Sequence, residues 1–206
     1  MITQDRYNFD NDVRREHNVV LLSGSDEVGR GAMAGPLVVA SVVLPPDYVN
    51  PEIDDSKNIS KVKREQLFNE IIEVALDYAI KIYDHNFVDK YNPKRTSQIG
   101  MEESLLELKV KPDLCLLDAE KINIAYKTLS IIKGDSKSQT IAAASILAKV
   151  TRDRMMIEFG NMYPGYGLED HKGYCTLFHK AKTMELGVLP IHRKSYKPIK
   201  DILEEK

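Results

Sequence analysis

The sequence predicts an α/β domain, a mixed central sheet flanked by helices with a helical segment at its C-terminal end. Three observations predict it. Two β-branched runs near the start are separated by a glycine-rich turn, short apolar runs then alternate with helical patterns, and one long helical stretch is packed with small residues. A chain of 206 residues suits one domain. At this length about 70% of the unfolded surface can be buried without disulfide staples.

The elements follow in order. Val19, Val20, Leu21 and Leu22 lead into Gly24, Ser25 and Asp26 as a first strand. A turn containing Gly29, Gly31, Gly35 and Pro36 opens a second strand over residues 37–44, and Pro45-Pro46 stops it. Ser60 stands as N-cap of a helix whose apolar residues Leu67, Ile71, Val74 and Tyr78 recur at helical spacing. Alternation over residues 78–83 then marks a third strand. After a break at Pro93, a helix is expected near 98–108, followed by two buried strands at 114–117 and 129–132. The long helix runs from about 138 to 159, with Ala142, Ala143, Ala144, Ser145 and Ala148 on it, and Pro164 and Gly165 end it. Shorter helices are expected near 174–186 and 196–205.

Composition bounds the function. Hydrophobic residues at 43% and charged residues at 29% exclude a disordered chain. No membrane span or secretory signal is visible, so a cytoplasmic protein without membrane partners is expected. Cys115 and Cys175 are too few for a disulfide framework, and Cys115 reads as core. A net charge of −2 does not advertise a polyanion binder, yet residues 171–200 hold Lys172, Lys180, Lys182, Arg193, Lys194, Lys197 and Lys200 against Glu185 alone. That segment is a candidate phosphate-facing surface or a solvated helical face.

Certain acids stand where polar groups are costly. On the first strand, period two places Leu22, Gly24 and Asp26 on one face and Glu27 on the other. Asp118 ends the run Leu114-Cys115-Leu116-Leu117, and Asp153 interrupts the helical seam of Ile146, Val150 and Ile157. Two carboxylates ~4 Å apart repel by about 4 kcal/mol at an effective dielectric of 20, so converging acids call for a multivalent cation. Oxygen-only ligands favour Mg²⁺ or Mn²⁺. Other readings stay open at this point: Asp55 and Asp135 suit turns, and Asp153 can pair with Lys149 or Arg152 on its own helix.

The run Asp26-Glu27-Val28-Gly29-Arg30-Gly31 resembles the signature of the type 2 ribonucleases H, specifically the bacterial ribonucleases HII. Asp55-Ser56-Lys57, Leu117-Asp118, Lys133-Gly134-Asp135, the stretch around Lys149 and Asp153, Tyr163-Pro164-Gly165-Tyr166-Gly167, His171-Lys172-Gly173-Tyr174 and His192-Arg193-Lys194-Ser195 fall in the same order. The resemblance implies a ribonuclease H-like fold over residues 19–206, with a substrate-binding helical segment from about 165 to 206. It implies a monomer acting on nucleic acid. Asp26, Glu27, Asp118 and Asp153 are its implied catalytic and metal-binding acids, holding two Mg²⁺ or Mn²⁺ ions. Gly29, Arg30, Gly31, Lys57 and Tyr174 are its implied substrate-binding residues. The implied reaction cuts 5′ of a ribonucleotide in an RNA–DNA hybrid or in duplex DNA, as in the removal of misincorporated ribonucleotides.

Two residues depart from the family pattern. Ala119-Glu120 replaces a common Gly-Asn, and Glu120 is expected to be solvated; Cys175 stands where glycine is frequent. Residues 1–18 match nothing in the pattern and are expected to form a loose arm. The rival readings are a ribonuclease HIII-like enzyme restricted to hybrids, against which Arg30 and Asp153 argue, and a non-catalytic binding module on the same fold.

Overall fold

The structure, a computed structural model, describes residues 5–204. The stretch expected to be a loose arm is, over Asp5–His17, helix α1; residues 1–4 lie outside the described part. This helix is mostly polar, so its sequence advertises little to bury. Val13 nevertheless joins Leu22, Leu114, Leu116, Ile131 and Ile141 in one apolar cluster. One turn away, buried Asp10 accepts hydrogen bonds from Thr140 N at 2.9 Å and Thr140 Oγ1 at 2.7 Å.

Strands β1 (Leu22–Val28) and β2 (Leu37–Val43) follow. They pair antiparallel with Asp26 opposite Ala40. Helix α2 (Lys61–Val74) begins at the predicted Ser60 cap, whose side chain accepts from Lys63 N. Strand β3 (Asp77–Tyr83) then pairs antiparallel with β2.

Helix α3 (His85–Tyr91) is a finding the sequence pattern did not suggest; Asp84 caps it. Pro93 starts rather than breaks the next helix. It occupies the first turn of α4 (Pro93–Glu107), where its missing N–H costs nothing, and Asn92 caps that end through Arg95 N. Strands β4 (Leu114–Asp118) and β5 (Thr128–Ile131) add in parallel, giving the sheet order β3-β2-β1-β4-β5. Helices α5 (Gln139–Met162), α6 (Leu168–His171), α7 (Leu177–Leu186) and α8 (Lys197–Glu204) complete the chain.

Two apolar layers sandwich the sheet. On one face Val38, Ala40 and Val42 meet Ala142, Ala143, Ile146 and Val150 of α5, together with Leu67 and Ile71 of α2. On the other, Leu37, Val39 and Val43 meet Met101 and Leu105 of α4, and Cys115 is buried there as expected. The small residues of α5 let it lie close against β1. A side chain at Gly24 would begin 2.4 Å from the Thr140 carbonyl, so only glycine fits there. The result is a mixed α/β sheet whose central strands β1 and β4 end side by side. Among the described residues, no helix is long and apolar enough to cross a membrane.

Candidate active site

The parallel register of β1 and β4 sets Ser25 opposite Leu117, so the next residues, Asp26 and Asp118, emerge together at the carboxyl edge of the sheet. A short 3-10 turn, Gly134–Ser136, brings Asp135 to the same place. One carboxylate oxygen from each of Asp26, Asp118 and Asp135 lies within 4.8 Å of the other two. Asp26 is only 5% exposed. Burial, then the neighbouring Glu27 and Asp118 charges, hold its carboxyl well above the usual carboxylate range, although Ser145 donates a hydrogen bond to it. Burial also raises Asp118, opposed by the Gly134 N–H that reaches its Oδ1 at 2.6 Å.

Glu27, the next residue of β1, lines the same cleft as Asp26 and Asp118 although strand alternation alone would turn it away. Burial pushes it up to about 7, against the lowering effect of Arg30. Its Oε1 sits 3.3 Å from Arg30 Nη1, while its Oε2 is buried without a partner. Asp153, on α5, accepts from Lys149 Nζ at 2.7 Å through Oδ1 and is not one of the three converging acids.

The Gly-Arg-Gly turn lies along the same cleft. Gly29 has φ +97°, and a side chain there would begin 2.2 Å from Arg152 Nε. Gly31 faces open space. The Arg30 carbonyl is held by Arg193 Nη1 at 3.1 Å and by the Tyr196 hydroxyl. An isolated β-bridge ties Ala32 to Tyr174, whose exposed ring lies 5.4 Å from the buried Arg152 guanidinium. Lys57 is exposed at the mouth, 3.5 Å from Asp135 and 3.9 Å from Asp55. Asp26, Glu27, Asp118, the Gly-Arg-Gly turn, Lys57 and Tyr174, with Ser56, Ser145 and Lys149, line a cleft of about 440 Å³.

A sequence model of the family described as Ribonuclease HII matches residues 23–199. The chain belongs to that family. It is 52% identical over 203 residues to the ribonuclease HII of Mycoplasma capricolum subsp. capricolum, covering 98% of both chains. The fold is similar to the ribonuclease H2 of Pyrococcus horikoshii OT3, with a TM-score of 0.79 and 25% identity over 90% of this chain and 98% of that one. It is also similar to Bst-RNase HIII in complex with Mn²⁺, with a TM-score of 0.75 and 17% identity over 91% of this chain and 70% of that one. As a member of the ribonuclease HII family, the chain is an endoribonuclease, and its substrate is nucleic acid.

Asp135 lies in a turn, as its local sequence suggests, and its carboxylate also joins the acid cluster. Two sequence expectations are corrected. Glu120, expected in solvent, is 4% exposed and paired with Arg30 Nη1 at 2.7 Å. Arg193, counted in the basic surface, is fully buried and donates to the carbonyls of Gly35 and Arg30. Ser145 and Lys149 also line the cleft, and nothing in their local sequence marks them as site residues. Their only signal was position: each is one or two helical turns before Asp153 on the face of α5 that meets β1.

Proposed function

We propose that this chain hydrolyses the phosphodiester bond on the 5′ side of a ribonucleotide, in RNA–DNA hybrids and at single ribonucleotides in duplex DNA, leaving 3′-hydroxyl and 5′-phosphate ends. The single observation that carries the reading is the convergence of Asp26, Asp118 and Asp135, with Asp26 and Asp118 lining a cleft walled by the Gly-Arg-Gly turn and Tyr174. Three carboxylates that repel one another, two of them buried, with an unpartnered Glu27 oxygen beside them, are a donor set suited to hard divalent cations. Mg²⁺ or Mn²⁺ fits this set. Asp26, Glu27 and Asp118 would hold two ions, with Asp135 beside them and Asp153 joining once Lys149 releases it. Such ions supply an activated water and neutralise the leaving oxygen.

The chain's own residues do the rest. Asp26 is central because β1 presents it between Glu27 and Asp118. Lys57 and Arg30 lie on either side of the acids and offer cations to substrate phosphates. Gly31, with open space beside it, lets a sugar approach the backbone closely, which is how a 2′-hydroxyl is sensed. The Tyr174 ring, backed by Arg152, offers a flat face for the adjacent sugar. Lysines of the C-terminal segment add affinity without sequence preference, and the ribonucleotide rather than the base sequence decides the cut.

The test is an end-labelled DNA duplex carrying one ribonucleotide, incubated with Mg²⁺ or Mn²⁺ and, as controls, with EDTA or with Asp26→Asn. One cut 5′ to the ribonucleotide, absent in both controls, is expected. Cutting only within longer hybrids would overturn the roles given to Arg30 and Tyr174 and favour a ribonuclease HIII-like activity. Tight duplex binding without cleavage would leave a binding module.

A further inference from the structure

Arg30 stands between two buried acids, and they do not share it equally. Its Nη1 lies 2.7 Å from Glu120 Oε1 but 3.3 Å from Glu27 Oε1. The second oxygen of Glu120 is also engaged, by Gln98 Nε2 at 3.3 Å, whereas the second oxygen of Glu27 has no partner. Glu120 is therefore the saturated acceptor of the pair and Glu27 the unsaturated one. Ala119, in the left-handed region at φ +52°, turns the chain after Asp118 so that Glu120 points back beneath the Gly-Arg-Gly turn. The backbone of Arg30 is fixed independently by Arg193 and Tyr196, which leaves only the guanidinium free to choose between the two acids.

We infer that Glu120 is a positioning residue: by holding the Arg30 guanidinium, it keeps Arg30 from closing onto Glu27 and so leaves Glu27 available to a divalent cation. The inference rests on the metal-dependent reading above. An arginine fork beside a carboxylate closes into a two-bond pair wherever geometry permits. With the Glu120 charge removed, the guanidinium has one anionic neighbour in place of two and moves onto Glu27. An opposite charge at that range changes a carboxylate's affinity for a proton by about tenfold or more, and its affinity for a metal ion is altered through the same field. Glu120 is bonded to Arg30 and Gln98 rather than to the acid cluster, so its positioning effect passes through Arg30.

A double-mutant cycle tests this with Mn²⁺ as the probe, bound Mn²⁺ being followed by calorimetry and electron paramagnetic resonance without substrate. Glu120→Gln, which keeps the shape but removes the charge and leaves one acceptor oxygen, is expected to weaken Mn²⁺ binding by about tenfold. In the Arg30→Ala background the same substitution is expected to have no effect, because the competing cation is gone. Arg30→Ala alone is expected to bind Mn²⁺ at least as tightly as the parent chain. Unchanged affinity in Glu120→Gln would overturn the inference. So would equal weakening in the Arg30→Ala background, which would mean that Glu120 acts on the ion directly. Failure of the parent chain to bind Mn²⁺ would instead overturn the metal-dependent reading itself.

Discussion

Two regions of this molecule bury charge, and they treat it in opposite ways. Where α5 meets the C-terminal segment, Arg152 and Arg193 are fully buried, and their guanidinium nitrogens all find acceptors. Arg152 donates to the carbonyls of Pro36, Lys172 and Ala34, and Arg193 to those of Gly35 and Arg30 and to the Tyr196 hydroxyl. At the sheet edge, Asp26, Asp118 and Asp135 are pressed together, and Glu27 keeps an oxygen with no partner. Burial lowers Arg152 only to about 10, so it stays charged at neutral pH; burial raises Glu27 to about 7, where its charge is already in question. A satisfied buried charge is architecture, since it joins β2, the Gly-Arg-Gly turn and the C-terminal helices. An unsatisfied one marks a place where something else must bind.

The comparison can be broken at its strongest point first. Asp26→Asn is expected to reduce ribonucleotide-directed cleavage by about a thousandfold or more, the several kcal/mol of transition-state stabilisation that a metal site supplies. Single-turnover cleavage of the one-ribonucleotide duplex measures it. In the other region, Arg152→Met should leave the carbonyls of Pro36, Ala34 and Lys172 without donors and destabilise the fold by about 3 kcal/mol. Urea denaturation checks this, and an unchanged midpoint would remove the architectural half of the contrast.

The C-terminal segment also buries neutral histidines. His179 Nε2 lies 3.1 Å from His192 Nε2, and His171 stacks on His179 at 4.2 Å. Burial pushes both His179 and His192 down to about 4. Their unfolded forms take up protons near 6.5, whereas the folded forms do so near 4. Stability is therefore full above about pH 6.5 and lost as pH falls toward 4, by roughly 2–3 kcal/mol for each histidine. Denaturation midpoints between pH 7 and 4.5 should fall less steeply in His179→Gln than in the parent chain.

Glu27 carries the opposite sign. Its folded value is raised from the carboxylate range to about 7, so the metal-free fold keeps its stability below about pH 4.5 and loses it as pH rises through 7. Glu27→Gln is expected to stabilise the metal-free protein by about 2 kcal/mol at pH 8, with the gain fading below about pH 5, while cleavage is lost. No gain at pH 8 would mean that the site tolerates its charge without a cation.

Much of this was legible in the sequence because it depends on local pattern. The β-branched runs mark β1 and β2, Ser60 announces α2, and Asp26 and Asp118 are conspicuous as acids ending apolar strands. Features that depend on side chains meeting across the fold were not legible. Asp135 looks like any Gly-Asp-Ser turn until β5 carries it beside Asp118. Glu120 and Arg193 look like surface charges until their partners, Arg30 and the backbone of residues 30–35, are brought beneath them. Helix α1 hid for a related reason: a polar helix anchored by Asp10 and Val13 has too narrow a buried face to show in its periodicity.

The central claim, that the acid cluster is a buried charge awaiting a cation, is tested most directly by urea denaturation at pH 8 with and without Mn²⁺, for the parent chain and Asp26→Asn. Metal-free Asp26→Asn should be more stable than the metal-free parent, and Mn²⁺ should stabilise the parent while leaving the variant nearly unmoved. A variant no more stable than the parent, or one stabilised equally by Mn²⁺, would contradict the account.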